Sequence, residues 1–266
     1  MRPPLLFMYH SQNRMTEENI KQYLKTHLPE NERWTGFKAV LFDMDGVLYD
    51  SMPHHAIAWQ ESMRQFGINM TAADAYATEG ARGVDTIRMM VSRQKGREIS
   101  EEDAQRMYDV KTDIFHHMEQ APVFDGVERL MEKIQRAGLS VNVVTGSGQR
   151  PLIKRLLTDF GRFLDEDHIT TAYDVARGKP NPDPYLAGLR KAGNLKPWHG
   201  IVVENAPLGV KAGVAAGCFT IAVNSGPLPD SSLLQAGAHL LYQKLTQLCD
   251  DFDQMMKICD SLVQSK

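Results

Sequence analysis

Residues 39–50 read AVLFDMDGVLYD, and this stretch decides the fold. Lys38 opens a short, nearly all-apolar run to Phe42, the pattern of a strand buried on both faces of a parallel sheet. The run ends on two carboxylates one residue apart, Asp43 and Asp45, followed by Gly46. Two anions this close repel each other, and burying either alone is costly. A cation is the natural compensation. One carboxylate can act as a nucleophile while a second moves a proton. Gly46 permits a tight turn and lets backbone N–H groups approach an anion. A solvated loop after a strand would carry the same residues, so the pattern needs company.

Four later segments resemble the first strand: LSVNVVTG at 139–146, the more polar HITTAYD at 168–174, GIVVEN at 200–205 and CFTIAVNSG at 218–226. Helical stretches separate them, over 126–137, 149–158, 182–193 and 207–216. This alternation predicts right-handed βαβ crossovers: an α/β fold with a doubly wound, mostly parallel, Rossmann-like core. Ligands of such sheets bind beyond the C-terminal strand ends. Asp43, Asp45, Thr145, Ser147, Glu204 and Asn205 all fall there.

Residues 56–120 break the alternation. Apolar residues recur at three- and four-residue steps, as in Ile87, Met90 and Val91, and predict an inserted all-helical cap domain. Its methionines and Trp59 suit cap-core packing. The expected division is a helical extension over 1–35, an α/β core over 36–55 and 121–266, and a cap over 56–120. Thr16 caps a helix over 16–27, and Met15 is a candidate start. An apolar stripe including Leu245, Leu248, Phe252 and Cys259 predicts a C-terminal helix packed within the molecule.

The chain has 266 residues and a formal net charge of −3, with no polyelectrolyte signal for nucleic acid. No apolar run approaches the roughly 20 residues that span a bilayer. Three cysteines without CxxC spacing argue against a disulfide framework or structural zinc. A cytoplasmic, monomeric protein is expected.

Three further motifs join the acid pair. VVTGSGQ places Thr145, Gly146 and Ser147 before a helix N-terminus, where hydroxyl and amides can hold an anion. A plain helix cap would look the same. RGKPNPDPYL holds Lys179 before three alternating prolines, which stiffen the loop. That rigidity makes sense if the ammonium balances phosphate and carboxylate charge; a surface lysine is the alternative. Glu204 and Asn205 offer hard oxygen ligands suited to Mg²⁺.

The order strand–DxDG, helical insertion, strand–TGS, GKP, strand–EN resembles the haloacid dehalogenase superfamily. More narrowly, DMDGVLYDS, VVTGSG, GKPNPDPYL and VVENAPLGVKAGVAAG resemble its β-phosphoglucomutase-like branch. The resemblance implies a Mg²⁺-dependent phosphohydrolase. Asp43 attacks phosphorus, and Asp45 serves as acid and base. Thr145 and the following amides hold phosphoryl oxygens, and Lys179 balances charge. Mg²⁺ is held by Asp43, the Asp45 carbonyl, Glu204 and Asn205.

The branch usually has Glu-Asp where this chain has Glu204-Asn205, which removes one negative charge. Glu79, in the cap loop YATEGARGVD, is the candidate replacement ligand, and Arg82 in the same loop a candidate anion clamp. His55 falls where the mutase has a histidine near its acid/base. A small polar cavity with Glu79 on the cation resembles the inorganic-pyrophosphatase-type members. The expected substrate is therefore a small phosphorylated compound or pyrophosphate. A phosphosugar mutase is the alternative, and a non-catalytic phosphate-binding regulatory domain the third reading.

Overall fold

The computed structural model describes residues 5–148 and 150–264. Residues 1–4 of the expected extension, and Gln149 at the expected start of helix 149–158, lie outside them. Six strands form one parallel sheet: β1 (Ala39–Phe42), β2 (Ser140–Val144), β3 (Ile169–Thr170), β4 (Gly200–Glu204), β5 (Phe219–Val223) and β6 (Leu240–Tyr242). Their order is β3-β2-β1-β4-β5-β6. The sheet is doubly wound, and its order reverses at β1, which opens a crevice at the C-terminal strand ends. Phe42 lies in register with Val143 of β2 and Val203 of β4, so Asp43 leaves the centre of the sheet into that crevice.

Helices α1 (Leu5–His27), α2 (Met52–Gln65), α3 (Ala72–Ala77), α4 (Gly83–Lys95), α5 (Glu101–His116) and α6 (Val127–Arg136) precede β2. Then come α7 (Arg150–Phe160), α8 (Asp183–Lys191), α9 (Pro207–Ala215), α10 (Asp230–Gln235) and α11 (Leu245–Gln264). Helices α2 to α5 stand between β1 and the return to the sheet and hold their own core. Trp59, Met63, Met70, Ile87, Met90 and Met107 pack there, apart from the main cluster under the sheet. No described helix is long and apolar enough to cross a membrane.

Four elements differ from the sequence expectation. The strand expected over 168–174 stops at Thr170, because Thr171 and Asp174 form a capping box that turns the chain into a 3₁₀ turn at Ala172–Asp174. β6 and α10 were not predicted: three strand residues without a β-branched side chain, and six helix residues, give little period to read. The N-terminal helix runs over Leu5–His27, so Thr16 lies inside it and not at its cap, and the segment joins the core. Ile20, Tyr23, Leu24 and Trp34 are buried in the main cluster, and Tyr23 Oη donates to the Gly217 carbonyl at 2.7 Å. α11 also packs inside, against α6 and α1, through Leu248, Phe252 and Met255.

His239 closes the α1 contact. Its Nδ1 accepts from Thr220 N at 2.9 Å, and the rings of Phe219, Tyr23 and His27 lie 5.0, 5.1 and 6.1 Å away. Burial, with His27 adding repulsion, pushes the His239 imidazole down to about 4. The unfolded chain takes up this proton near pH 6.5 and the native chain refuses it. Stability is thus complete above that pH and falls by on the order of 3 kcal/mol as pH drops to about 4. Urea unfolding across this range should show the loss, and His239→Gln should flatten it. Equal acid slopes in both proteins would contradict this assignment.

Candidate active site

The turn after β1 is built on one carbonyl. Met44 O accepts from the amides of Leu48 and Tyr49 at 2.9 and 3.2 Å, curling 44–49 into a compact loop. Gly46 sits at φ 83°, and a Cβ there would fall 2.0 Å from Asn205 Nδ2. Only glycine allows that turn and that approach together.

Lys179 binds the strand ends together. Its Nζ donates to Asp43 Oδ1 (2.5 Å), Glu204 Oε1 (2.7 Å) and the Val144 carbonyl (3.1 Å), all buried. Tyr185 Oη also donates to Glu204 Oε1 at 2.6 Å, and the Asn205 amide to Oε2 at 3.1 Å. The two anions hold the ammonium above its usual range despite burial. Burial in turn pushes the Asp43 carboxyl up to about 7, against the pull of Lys179 and with Glu204 and Asp45 adding repulsion.

Asp45 differs. Burial alone would raise it, but His55, Ser51 and Lys111 outweigh burial and hold it below the usual carboxylate range. Ser51 Oγ donates to Asp45 Oδ1 at 2.5 Å. His55 Nε2 lies 3.2 Å from the same oxygen, poorly aligned for a hydrogen bond. Behind it, Lys111 Nζ stands 2.6 Å from His55 Nδ1. An ammonium there makes Nδ1 the acceptor, which leaves the ring proton on Nε2, toward Asp45. Lys111 is buried among Phe115, Trp59 and Tyr108, 4.8, 5.2 and 5.9 Å from their ring centres. Burial lowers it to about 8, with Glu79 and Asp45 acting the other way.

Thr145 is buried at the end of β2, and its Oγ1 accepts from Ser147 N at 3.0 Å. Gly146 lies under the cap loop: a Cβ on it would fall 2.9 Å from the Gly80 carbonyl. The cavity beneath this loop is about 40 Å³, with Asp45, His55, Glu79, Lys111, Gly146 and Ser147 in its walls. That is room for about three waters. Glu79, part-buried there, is pushed well above the carboxylate range by burial and by the Asp45 and Asp43 anions.

Residues 37–217 match the sequence pattern of haloacid dehalogenase-like hydrolases. The chain belongs to this family. Hexitol phosphatase A of Escherichia coli (strain K12) is 34% identical over 71% of this chain and 83% of its own length. Validoxylamine A 7'-phosphate phosphatase of Streptomyces hygroscopicus subsp. limoneus is 30% identical over 80% and 96%. A solved structure from Bacteroides vulgatus, provisionally described as a β-phosphoglucomutase, is 43% identical. It covers 93% of this chain and 99% of its own at a TM-score of 0.87. This haloacid dehalogenase-like chain is an enzyme of the phosphatase/hydrolase type.

The hydrolase gathers Asp43, Asp45, Thr145, Lys179, Glu204 and Asn205 at adjoining strand ends, and Glu79 and His55 reach them from the helical layer. Arg82 does not join them. Its guanidinium is held by Asp85 through two bonds of 2.8 and 3.0 Å, because an acid three residues on along a helix start is its nearest partner. Lys111 was missed. Its signal was its place on the apolar stripe Ala104, Met107, Tyr108, Phe115, where a lysine is out of character.

Asp43 Oδ2 and Asn205 Oδ1 are both buried without a hydrogen-bond partner. Two orphaned hard oxygens beside an anionic cluster fit a hard divalent cation. No group of three or more His, Cys, Asp or Glu among the described residues forms a ready metal cluster. An amide oxygen, a backbone carbonyl and waters would complete such a sphere, as suits Mg²⁺.

Proposed function

We propose that the protein is a Mg²⁺-dependent phosphohydrolase that works through an aspartyl-phosphate on Asp43. The observation that carries this reading is Lys179, buried between Asp43 and Glu204 while Asp43 Oδ2 stays unpartnered. Asp43 attacks phosphorus and the bond to the leaving oxygen breaks. Asp45, ionised in the resting site, takes up a proton as the negative charge of the substrate enters beside it, and passes that proton to the leaving oxygen. Water then attacks phosphorus, its proton goes to Asp45, and the bond to Asp43 breaks to release phosphate. Thr145 and the amides of Gly146 and Ser147 receive phosphoryl oxygens, and Lys179 offsets their charge. Asp43, the Asp45 carbonyl and Asn205 would hold Mg²⁺, which when bound would neutralise charge on the phosphoryl oxygens, while Glu204, whose oxygens already accept from Lys179, Tyr185 and the amides of Asn205 and Ala206, stays behind that sphere. Glu79 completes this set from the cap.

The substrate reading is a small phosphate compound, with pyrophosphate first. The cavity of about 40 Å³ is far below the roughly 300–1,000 Å³ of ordinary small-molecule pockets. Lys111 and His55 give it donors for a second phosphate. The second reading is a phosphorylated carbohydrate, processed by hydrolysis or by a mutase. It rests on relatives named as hexitol, validoxylamine and carbohydrate phosphatases and as β-phosphoglucomutases.

Phosphate release should be measured with pyrophosphate, hexitol phosphates and hexose 1-phosphates, with and without Mg²⁺. Release from pyrophosphate exceeding that from the sugar phosphates is expected. Hexose phosphate interconversion without release would replace the hydrolase by the mutase. In the same assay Glu79→Gln should raise the Mg²⁺ needed for half-maximal rate by about 10-fold. An unchanged requirement would remove Glu79 from the cation site.

A further inference from the structure

Three core glycines face the cap at places where the backbone does not demand glycine. Gly146, Gly178 and Gly226 sit in the loops after β2, β3 and β5, and none has the left-handed φ that favours glycine. Close approach explains them instead. A Cβ on Gly178 would fall 2.8 Å from Arg82 Cγ and 3.4 Å from Arg82 N. One on Gly226 would fall 2.8 Å from Tyr76 Cε1, and one on Gly146 would meet the Gly80 carbonyl. Each of these neighbours belongs to the cap.

Arg82 meets the core with its stem. It precedes α4, and its guanidinium turns back to Asp85 on the first turn of that helix. An ion pair within one helix start, its side chains 30% and 41% exposed, adds little stability. The pair does hold the hydrocarbon stem of Arg82 over Gly178, the residue before Lys179. Arginine stems pack in this way while the charged head stays near water. Two residues earlier, Gly80 lies on Lys179 itself, where a Cβ would fall 2.9 Å from Lys179 Cδ. Residues 80–82 of the cap thus run along 178–179 of the core, and Glu79 enters the cavity at the end of that run.

We propose that Arg82 is a positioning residue: its stem, turned back by Asp85 and seated on Gly178, registers the cap loop on the Lys179 loop and so sets Glu79 beside the strand-end carboxylates. The consequence for the cation rests on the reading above, in which Glu79 completes the Mg²⁺ set. Glu79 shares the cavity with Asp45, and two carboxylates brought together repel. A contact outside the cavity must therefore hold the loop down. The seam of Arg82 on Gly178 and Gly80 on Lys179 supplies it without touching substrate. Arg82 then acts through packing, and its charge serves the bend.

Two measurements on the full chain test this. One is hydrogen exchange of residues 78–82 by mass spectrometry, without substrate. The other is the Mg²⁺ concentration for half-maximal phosphate release from pyrophosphate and from a hexitol phosphate. Gly178→Ala sets a methyl against the stem and should speed loop exchange and raise the Mg²⁺ requirement, each by about 10-fold. Arg82→Ala removes the stem and should move both by about 3-fold. The double variant should fall back to the level of Arg82→Ala alone, because the methyl then meets no stem. Arg82→Lys keeps a stem and a cation for Asp85 and should stay within about two-fold of wild type. Sheet amides in the same digests report folding, and Arg82→Ala carries the test if Gly178→Ala does not fold. Effects that multiply in the double variant, or unchanged loop exchange in both single variants, would overturn the inference. So would an Arg82→Ala protein that changes only the KM for substrate, because the guanidinium would then bind substrate. Loop exchange that follows the expected pattern beside an unchanged Mg²⁺ requirement would support the registration and remove Glu79 from the cation site.

Discussion

Asp43→Asn is expected to lower turnover by at least about 10⁴-fold, because the variant keeps the shape of the site and loses its nucleophile. An amide oxygen can still accept from Lys179, which retains Glu204 as its second anion. The fold should not suffer. Burial already pushes the Asp43 carboxyl up to about 7, so ionising it opposes folding as pH rises through that value. A neutral amide escapes that cost, and the melting temperature at about pH 8 should equal or exceed wild type. Steady-state phosphate release and thermal unfolding on one preparation check both halves. Surviving activity would remove Asp43 as nucleophile. Lost activity with a collapsed melting temperature would reduce its role to structure.

Lys179→Met should fail in the other way, losing activity and stability together. Removal of the ammonium leaves Asp43 and Glu204 facing each other in a buried site. Breaking one side of such a cluster costs about 3–5 kcal/mol. The loss should grow as pH rises, because without the pull of Lys179 the already raised Asp43 carboxyl resists ionisation still more strongly. If Lys179 balances charge beside Asp43 during the chemical step as proposed, its loss should cost about 10³-fold in rate. Denaturant unfolding at two pH values separates the terms. A variant as stable as wild type at high pH would show that Lys179 does not hold the two anions.

Much of this was legible because the chemistry sits at strand ends. β1, β2, β4 and β5 are short apolar runs that end on polar residues, and a parallel sheet lines those ends up in one crevice. The readable residues were therefore Asp43, Asp45, Thr145, Glu204 and Asn205, with Lys179 marked by its prolines. What was not legible depended on distant partners. β3 ends early because Thr171 and Asp174 pair locally, and the Arg82 guanidinium pairs with Asp85, three residues on. Lys111 reads as one more helical lysine until α2 and α5 pack and bring His55 to it. The N-terminal segment looks like an appendage until Tyr23 meets Gly217, almost two hundred residues away.

The central claim is a covalent phosphoryl group on Asp43. It is tested most directly by acid-quenching the enzyme during turnover of labelled substrate with Mg²⁺ and mapping the label by peptide mass spectrometry. The account predicts one acid-stable, hydroxylamine-labile phosphoryl group on the peptide that carries Asp43, absent in Asp43→Asn. Turnover with no labelled peptide, or a label on any other residue, would contradict it.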